Sequence, residues 1–351
     1  MGFFVTLGVV RFEGESRPAR RIELACAPLG VSKSAGGLPR AAGYLTPLRC
    51  GDDVASRWAV TNTLKTSIMI STPSAIPIRT LGASGVRVPA LGVGTNRWGV
   101  PGKSADVLIP VFSAALDAGS NLFDTAEVYV SEPIIGECLR RDPRPALIVS
   151  KFAPYPTRYS SKSWFKALDG SLTRLGVHTI DLYLIHFPFT FLGIPSLMDL
   201  LAEVAQSGKV RAVGVSNFSA KQMYAAADQL ERHGVPLAAN EVRFSLFHRH
   251  PERNGILEAC RKLNAALIAY QPLAGGRNRQ DGSTLDRALV DIAHARQKTV
   301  AQVALNWLLH KDEHIVAVPG VTSVAHLREN VDAVGWTLND NELAILEQSS
   351  A

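Results

Sequence analysis

From residue 76 onward the chain alternates short apolar runs with amphipathic stretches, and this alternation limits its fold more than any other feature. Short apolar runs bounded by turn residues read as strands buried on both faces. Longer stretches with a 3.6-residue period read as the helices between them. Eight strand candidates stand out: Ala90–Val93, Asn121–Phe123, Leu147–Ser150, Ile180–Ile185, Val210–Val215, Ala238–Val242, Ala266–Ala269 and Ile315–Val318. Helical patterns separate them over 105–118, 132–140, 161–175, 196–207, 219–232, 254–264, 284–310 (two helices) and 323–334. Capping boxes mark two of the starts, Ser219 with Gln222 and Thr299 with Gln302. Ile78-Arg79 and Val86-Arg87-Val88 flank Gly82-Ala83-Ser84-Gly85, the pattern of a small hairpin, and residues 339–348 read as a further helix. Eight βα units in about 280 residues predict a closed α/β barrel of the (β/α)₈ (TIM) type, with an N-terminal β-hairpin and a C-terminal extra helix. An open doubly wound sheet is the alternative.

Residues 1–68 read differently. They are rich in Ala, Gly, Arg, Pro and Ser and show no sustained period. Nine Lys/Arg against five Asp/Glu give this segment +4 of the chain's net +6. Three readings compete: an organellar transit peptide, upstream sequence before a true start at Met69, or a disordered extension. Glu13, Glu15 and Glu23 weigh against the first. The expected organisation is thus an extension over 1–68 and a single barrel over 69–351. The rest of the chain is close to charge balance, so nothing in its charge points to nucleic acid. No apolar run approaches the roughly 20 residues of a membrane-spanning helix. Four cysteines lie far apart with no C-x-x-C pair, which suggests neither a zinc site nor a redox dithiol. A cytoplasmic location is expected, with an organelle as the alternative if the N-terminal segment is a targeting peptide.

Several catalytic motifs fail. Gly92-Val93-Gly94 follows a strand, but the third glycine of a dinucleotide fingerprint is Arg97. The same Arg97 spoils a phosphate loop ending at Gly102-Lys103-Ser104. Neither Gly-x-Ser-x-Gly nor His-Glu-x-x-His occurs, and His248 and His250, two apart, read as loop residues rather than metal ligands.

In a barrel the chemistry lies where strands end and loops begin. Strand 2 ends at Asp124, with Tyr129 five residues on; strand 3 ends at Lys151 and strand 4 at His186. One polar residue after a strand is ordinary, but this set on three successive strand ends is not. A free tyrosine, with a pKa near 10, is a poor acid at neutral pH. A nearby ammonium favours phenolate, and Lys151 is placed to supply it. Asp124 can hold Lys151, and a neutral His186 can orient a carbonyl. Tyr129 would then protonate the oxygen as hydride reaches carbon. No side chain here can supply hydride, so a cofactor must.

The stretches Asn121-Leu-Phe-Asp-Thr-Ala-Glu-Val-Tyr129, Val149-Ser-Lys151, Asp181-Leu-Tyr-Leu-Ile-His186, Gly214-Val-Ser-Asn-Phe218, Ala269-Tyr-Gln-Pro-Leu273 and Pro319-Gly320 through Glu329-Asn330 resemble the aldo-keto reductase superfamily, over roughly residues 76–347. The resemblance implies a (β/α)₈ barrel that binds NADP(H) or NAD(H) across its strand ends, with a small carbonyl compound as substrate. It also implies that Asp124, Tyr129, Lys151 and His186 form the family's catalytic tetrad. His at the fourth position, rather than Glu, resembles the carbonyl-reducing branch. For the cofactor it implies Ser216 and Asn217 on the nicotinamide carboxamide, with Glu241 where Gln is usual and Phe244 as the stacking aromatic. Gln271, Leu273 and Gly275 would form the pyrophosphate loop, followed by Pro319 and Gly320, with Glu329 and Asn330 on adenine. Thr322 stands where many members carry Lys or Arg beside a 2′-phosphate, and His326 replaces a common Gln or Arg, which leaves the NADPH preference open. Arg277, Arg279 or Arg328 would have to compensate. Trp98 and Phe187 are candidate substrate-pocket residues, with core packing the equal alternative. The Trp307 helix reads as core, and Tyr155, Arg158 and Tyr159 as a solvated loop. Two other functions fit the same residues: a redox-sensing protein that holds the cofactor with slow turnover, and a lyase or isomerase using Lys151 as a Schiff base. The sequence is silent on oligomeric state and on the identity of the substrate.

Overall fold

The computed structural model describes residues 76–155, 157–188, 191–275 and 282–350. The expectations for residues 1–68, Met69, Arg277 and Arg279 lie outside them. Among the described residues, eight parallel strands form one sheet in sequence order: β3 (Val93–Gly94), β4 (Leu122–Asp124), β5 (Leu147–Phe152), β6 (Ile180–Ile185), β7 (Val210–Ser216), β8 (Leu237–Arg243), β9 (Ala266–Tyr270) and β10 (Ile315–Val318). Bridges Leu91↔Ala317 and Gly94↔Gly320 join the first of these strands to the last. The Gly92 N–H donates to the Ala317 carbonyl at 2.9 Å, and the Ala317 N–H to the Ala90 carbonyl at 2.8 Å. The sheet is therefore a closed barrel and not the open alternative. A helix follows each barrel strand, as the period-3.6 stretches require, and Asp340–Ser349 is the extra C-terminal helix.

The hairpin pairs β1 (Ile78–Thr80) with β2 (Arg87–Pro89), and Leu81, Val86 and Val88 at its turn seal the N-terminal end of the barrel. Above them, side chains alternate inward along each strand, because a strand repeats every two residues. Leu122, Val149, Leu182, Leu184, Ala212, Ala239, Ile268, Val316 and Val318 fill this interior, and a second, larger core packs the helices against the barrel's outer face.

Element boundaries agree with expectation to within three residues, with two informative exceptions. The 254–264 segment holds a single short helix, Ile256–Lys262, which begins after Gly255 with φ 81°, and a separate four-residue helix, His250–Arg253, precedes it. The first barrel strand is shorter than Ala90–Val93 suggests, because only Val93 and Gly94 pair continuously with Phe123 and Asp124. Both capping boxes form: Ser219 and Thr299 each accept from the N–H three residues on, and Gln222 and Gln302 reach back. No helix among the described residues is long and apolar enough to cross a membrane.

Candidate active site

The next inward position above the apolar layer is polar on strand after strand. Leu122 is followed by Asp124, Val149 by Lys151, Leu184 by His186, Ala239 by Glu241 and Ile268 by Tyr270. Barrel closure brings these five side chains together at the C-terminal mouth.

Lys151 is fully buried, and its Nζ donates to Asp124 Oδ1 and, at 2.9 Å, to the Thr125 carbonyl. Glu241 Oε2 stands 3.2 Å from the same Nζ. Tyr129 reaches the group from a 3₁₀ turn, Glu127–Tyr129, after β4. Its ring lies with Lys151 Nζ 5.1 Å from the centroid, and its hydroxyl is 3.4 Å from His186 Nε2. The Tyr129 and His186 rings meet edge to face at 80°. All four residues of the expected tetrad thus converge.

The turn that carries Tyr129 is held from several sides. Glu127 Oε1 accepts from the Ala153 N–H at 2.5 Å and from Arg158 Nη1 at 2.6 Å. Arg158 also lies over the rings of Phe152 and Tyr155, so it is a structural clamp rather than part of a solvated loop. Gly99 faces the turn so closely that a Cβ would stand 2.0 Å from the Tyr129 carbonyl oxygen. Val130, 65 % exposed, closes the turn at φ 58°, a left-handed conformation uncommon for a β-branched residue.

Burial dominates the electrostatics. Burial and Lys151 together push His186 down to about 3, so its imidazole is neutral at physiological pH. Burial alone would lower Lys151, but Asp124 and Glu241 outweigh it and hold the ammonium above its usual range. Burial raises Asp124, with Lys151 opposing. For Tyr129, burial outweighs the downward pull of Lys151, and Asp124, Glu241 and Tyr270 add to the rise. The phenol therefore lies above its ordinary value, which corrects the expectation that Lys151 brings it below. Desolvation of the phenolate costs more here than one ammonium behind the ring returns.

The mouth opens into a cavity of about 680 Å³. Its walls include Asp124, Tyr129, His186, Phe187, Ser216, Asn217 and Glu241, and further along Gln271, Leu273, Gly275, Pro319, Gly320, Thr322, His326, Glu329 and Asn330. Two buried polar atoms here, His186 Nδ1 and Glu241 Oε2, have no hydrogen-bond partner among the described residues. The cavity also reaches the helix Val324–Val331 at its N-terminus, where Ser323 is the cap, a place suited to a phosphate. An elongated polar ligand with anionic groups fits this lining.

Two expected contacts are not there. Phe244 is buried against Trp307, with ring centroids 6.0 Å apart, and does not line the cavity. Tyr270 supplies the aromatic wall instead, and its hydroxyl donates to Asn217 Oδ1 at 3.0 Å. Trp98 is likewise in the core: its indole N–H donates to the Val321 carbonyl at 2.7 Å and its ring meets Phe123. Phe187 does line the cavity, 39 % exposed and stacked 4.1 Å from His186. Arg328 is exposed and outside the cavity wall. Sequence reading carried Tyr270 in a family-like stretch without giving it a role and missed Asn96, Arg97 and Thr299–Ala301, and all of these line the cavity. The period-2 rule could have found Tyr270, the next inward residue after Ile268; the others depend on loop paths.

The model of the Aldo/keto reductase family matches residues 90–351. The chain belongs to that family. The chloroplastic pyridoxal reductase of Arabidopsis thaliana is 32 % identical over 290 residues, covering 72 % of this chain and 79 % of the relative. Among solved structures, a thermostable aldo-keto reductase in complex with the inhibitor epalrestat superposes with a TM-score of 0.70 at 32 % identity, covering 78 % of this chain and 99 % of the other. An aldo/keto reductase from Klebsiella pneumoniae, in complex with NADP and acetate, gives 0.69 at 28 % identity, covering 77 % and 94 %. This aldo/keto reductase is an NAD(P)H-dependent oxidoreductase on a (β/α)₈ barrel.

Proposed function

We propose that this aldo/keto reductase reduces an aldehyde or ketone to an alcohol, with Tyr129 as the proton donor. The observation that carries the proposal is the Tyr129 hydroxyl, 3.4 Å from a neutral His186 at the cavity wall, with the buried Lys151 behind its ring. A bound NADPH or NADH supplies the hydride. Ser216, Asn217, Glu241 and Tyr270 surround the nicotinamide end. Gln271, Leu273, Gly275, Pro319 and Gly320 line the pyrophosphate path, and Thr322, His326, Glu329 and Asn330 the adenosine end. The carbonyl oxygen sits between Tyr129 Oη and His186 Nε2, and Phe187 packs against the substrate.

Tyr129 is fully protonated at neutral pH, so the donor is always loaded. The oxygen that gains negative charge on reduction is a stronger base than a phenolate and takes the proton. Lys151 stabilises the phenolate left behind, and Asp124 holds Lys151 in place. A positioned acid of this kind contributes about 10²–10⁴-fold. Thr322 and His326 offer no permanent cation to a 2′-phosphate, so NADPH and NADH are expected to bind with affinities within about a hundredfold of each other.

The test is a fluorescence titration with both cofactors, followed by an aldehyde and ketone screen that includes pyridoxal, the aldehyde named for the Arabidopsis relative. Tyr129→Phe should lose turnover by about 10²–10⁴-fold and keep cofactor affinity. Cofactor binding without oxidation across the whole panel would overturn the reading.

A further inference from the structure

Glu241 stands out because one cation serves two buried carboxyls. Lys151 gives one N–H to Asp124 and one to the Thr125 carbonyl. Glu241 lies within reach of the same ammonium, yet its Oε2 makes no hydrogen bond. The groups facing it are Asp124 on β4, Tyr129 on the following turn, Lys151 on β5, His186 directly after β6 and Tyr270 on β9. His186 is neutral there, and Arg243, on its own strand, is exposed. Two carboxyls this deeply buried do not both stay ionised against a single charge. One of the two must carry a proton, and the charge of Asp124 beside Glu241 works against its ionisation.

We propose that Glu241 is a proton-bearing positioning residue: as a carboxylic acid beside Asp124 it leaves the charge of Lys151 directed at Tyr129, and as a carboxylate it cancels that charge and slows reduction. This role rests on the proposed reduction at Tyr129. It concerns the interior of the barrel, where Glu241 acts through Lys151 and not on the substrate. Burial and the neighbouring Asp124 push the Glu241 carboxyl up to about 8, far above its ordinary 4.5, so the acid form is the resident one at neutral pH. Ionisation then releases a proton to solvent and leaves two negative charges around one ammonium. Glu241→Gln keeps the shape, keeps a donor for Asp124 and cannot ionise.

Three readouts test this. In the wild type, kcat/KM should fall about tenfold per pH unit above about 8, and Glu241→Gln should keep its plateau through that range. The infrared band of a buried protonated carboxyl should be present in the cofactor-free wild type at pH 6 and titrate away with a midpoint near 8. It should be absent from Glu241→Gln. Wild-type stability should fall as pH rises from about 4.5 to about 8, because the folded state holds a proton that the unfolded chain has lost, and the variant should lack this fall. An unchanged alkaline limb in the variant, or a wild-type carboxyl band missing at pH 6, overturns the proposal. The infrared and stability readouts need no turnover. A protein that shows both but reduces nothing sinks the proposed reaction and the role of Glu241 in it, while one that reduces carbonyls without them sinks Glu241 alone. The wild-type band decides the matter even if the variant does not fold.

Discussion

Along β4, β5 and β6, Leu122, Val149 and Leu184 stand two residues before Asp124, Lys151 and His186. The lower set belongs to the apolar barrel interior; the upper set crowds a cation, carboxyls, a phenol and an imidazole into the same narrow tube. Backbone, register and burial are shared, and only the chemistry of the side chains changes. The lower layer gains from leaving water. The upper layer loses by it, and every partner there compensates a desolvation cost: Asp124 for Lys151, Lys151 for Asp124, a proton for Glu241. The apolar layer stabilises the fold, while the polar layer keeps groups in the protonation states that the proposed proton transfer needs.

The sharpest way to break this contrast is Lys151→Met. It leaves Asp124 buried without its cation and should cost about 3–5 kcal/mol in denaturant unfolding, together with nearly all activity. An active, equally stable Lys151→Met protein would mean that the polar layer does not depend on its ion pair. Leu184→Ala, one layer down, should cost about 2–5 kcal/mol in the same assay through loss of packing. Its kcat/KM should stay near the wild-type value at temperatures where it is folded; a loss matching Lys151→Met would show that the two layers are not separable. The smallest effect is expected outside the barrel proper, at Val130. Replacing this exposed, left-handed valine with glycine removes a strain of about 1–2 kcal/mol, offset by the greater entropy of glycine in the unfolded chain, about 0.5–1 kcal/mol. A thermal melt should show a slight gain. A clear loss would mean that the valine side chain contributes more by packing than the turn conformation costs. His186 refines the contrast further. With its titration near 3, no ionisation of this residue should appear in a kcat/KM profile between pH 5 and 8, and an inflection assigned to it by imidazole NMR would contradict its burial beside Lys151.

Much of this was legible in the sequence because it depends on neighbours along the chain. The alternation of apolar runs with amphipathic stretches set the order of the barrel, and the capping boxes at Ser219 and Thr299 set helix starts to the residue. Strand-end reading found Asp124, Lys151 and His186, since a strand ends where its hydrophobic run ends. What stayed hidden depends on contacts around the barrel rather than along it. Whether Glu241 serves a cofactor amide or Lys151 is decided by how far β8 lies from β5 across the closed interior, a distance no local pattern encodes. Phe244 and Tyr270 look equally suited to an aromatic wall, but β8 points Ala239 and Glu241 inward, so the two-residue period turns Phe244, like Val242, outward into the core against Trp307. Trp98 sits in a loop from which its indole reaches the Val321 carbonyl and its ring meets Phe123, contacts distant in sequence. The pKa of Tyr129 likewise follows from the depth of its burial. The order of residues along the chain determines which groups are present and on which strand end each lies. Closure of the barrel decided which of them touch, and the loss of water on closure decided their charge.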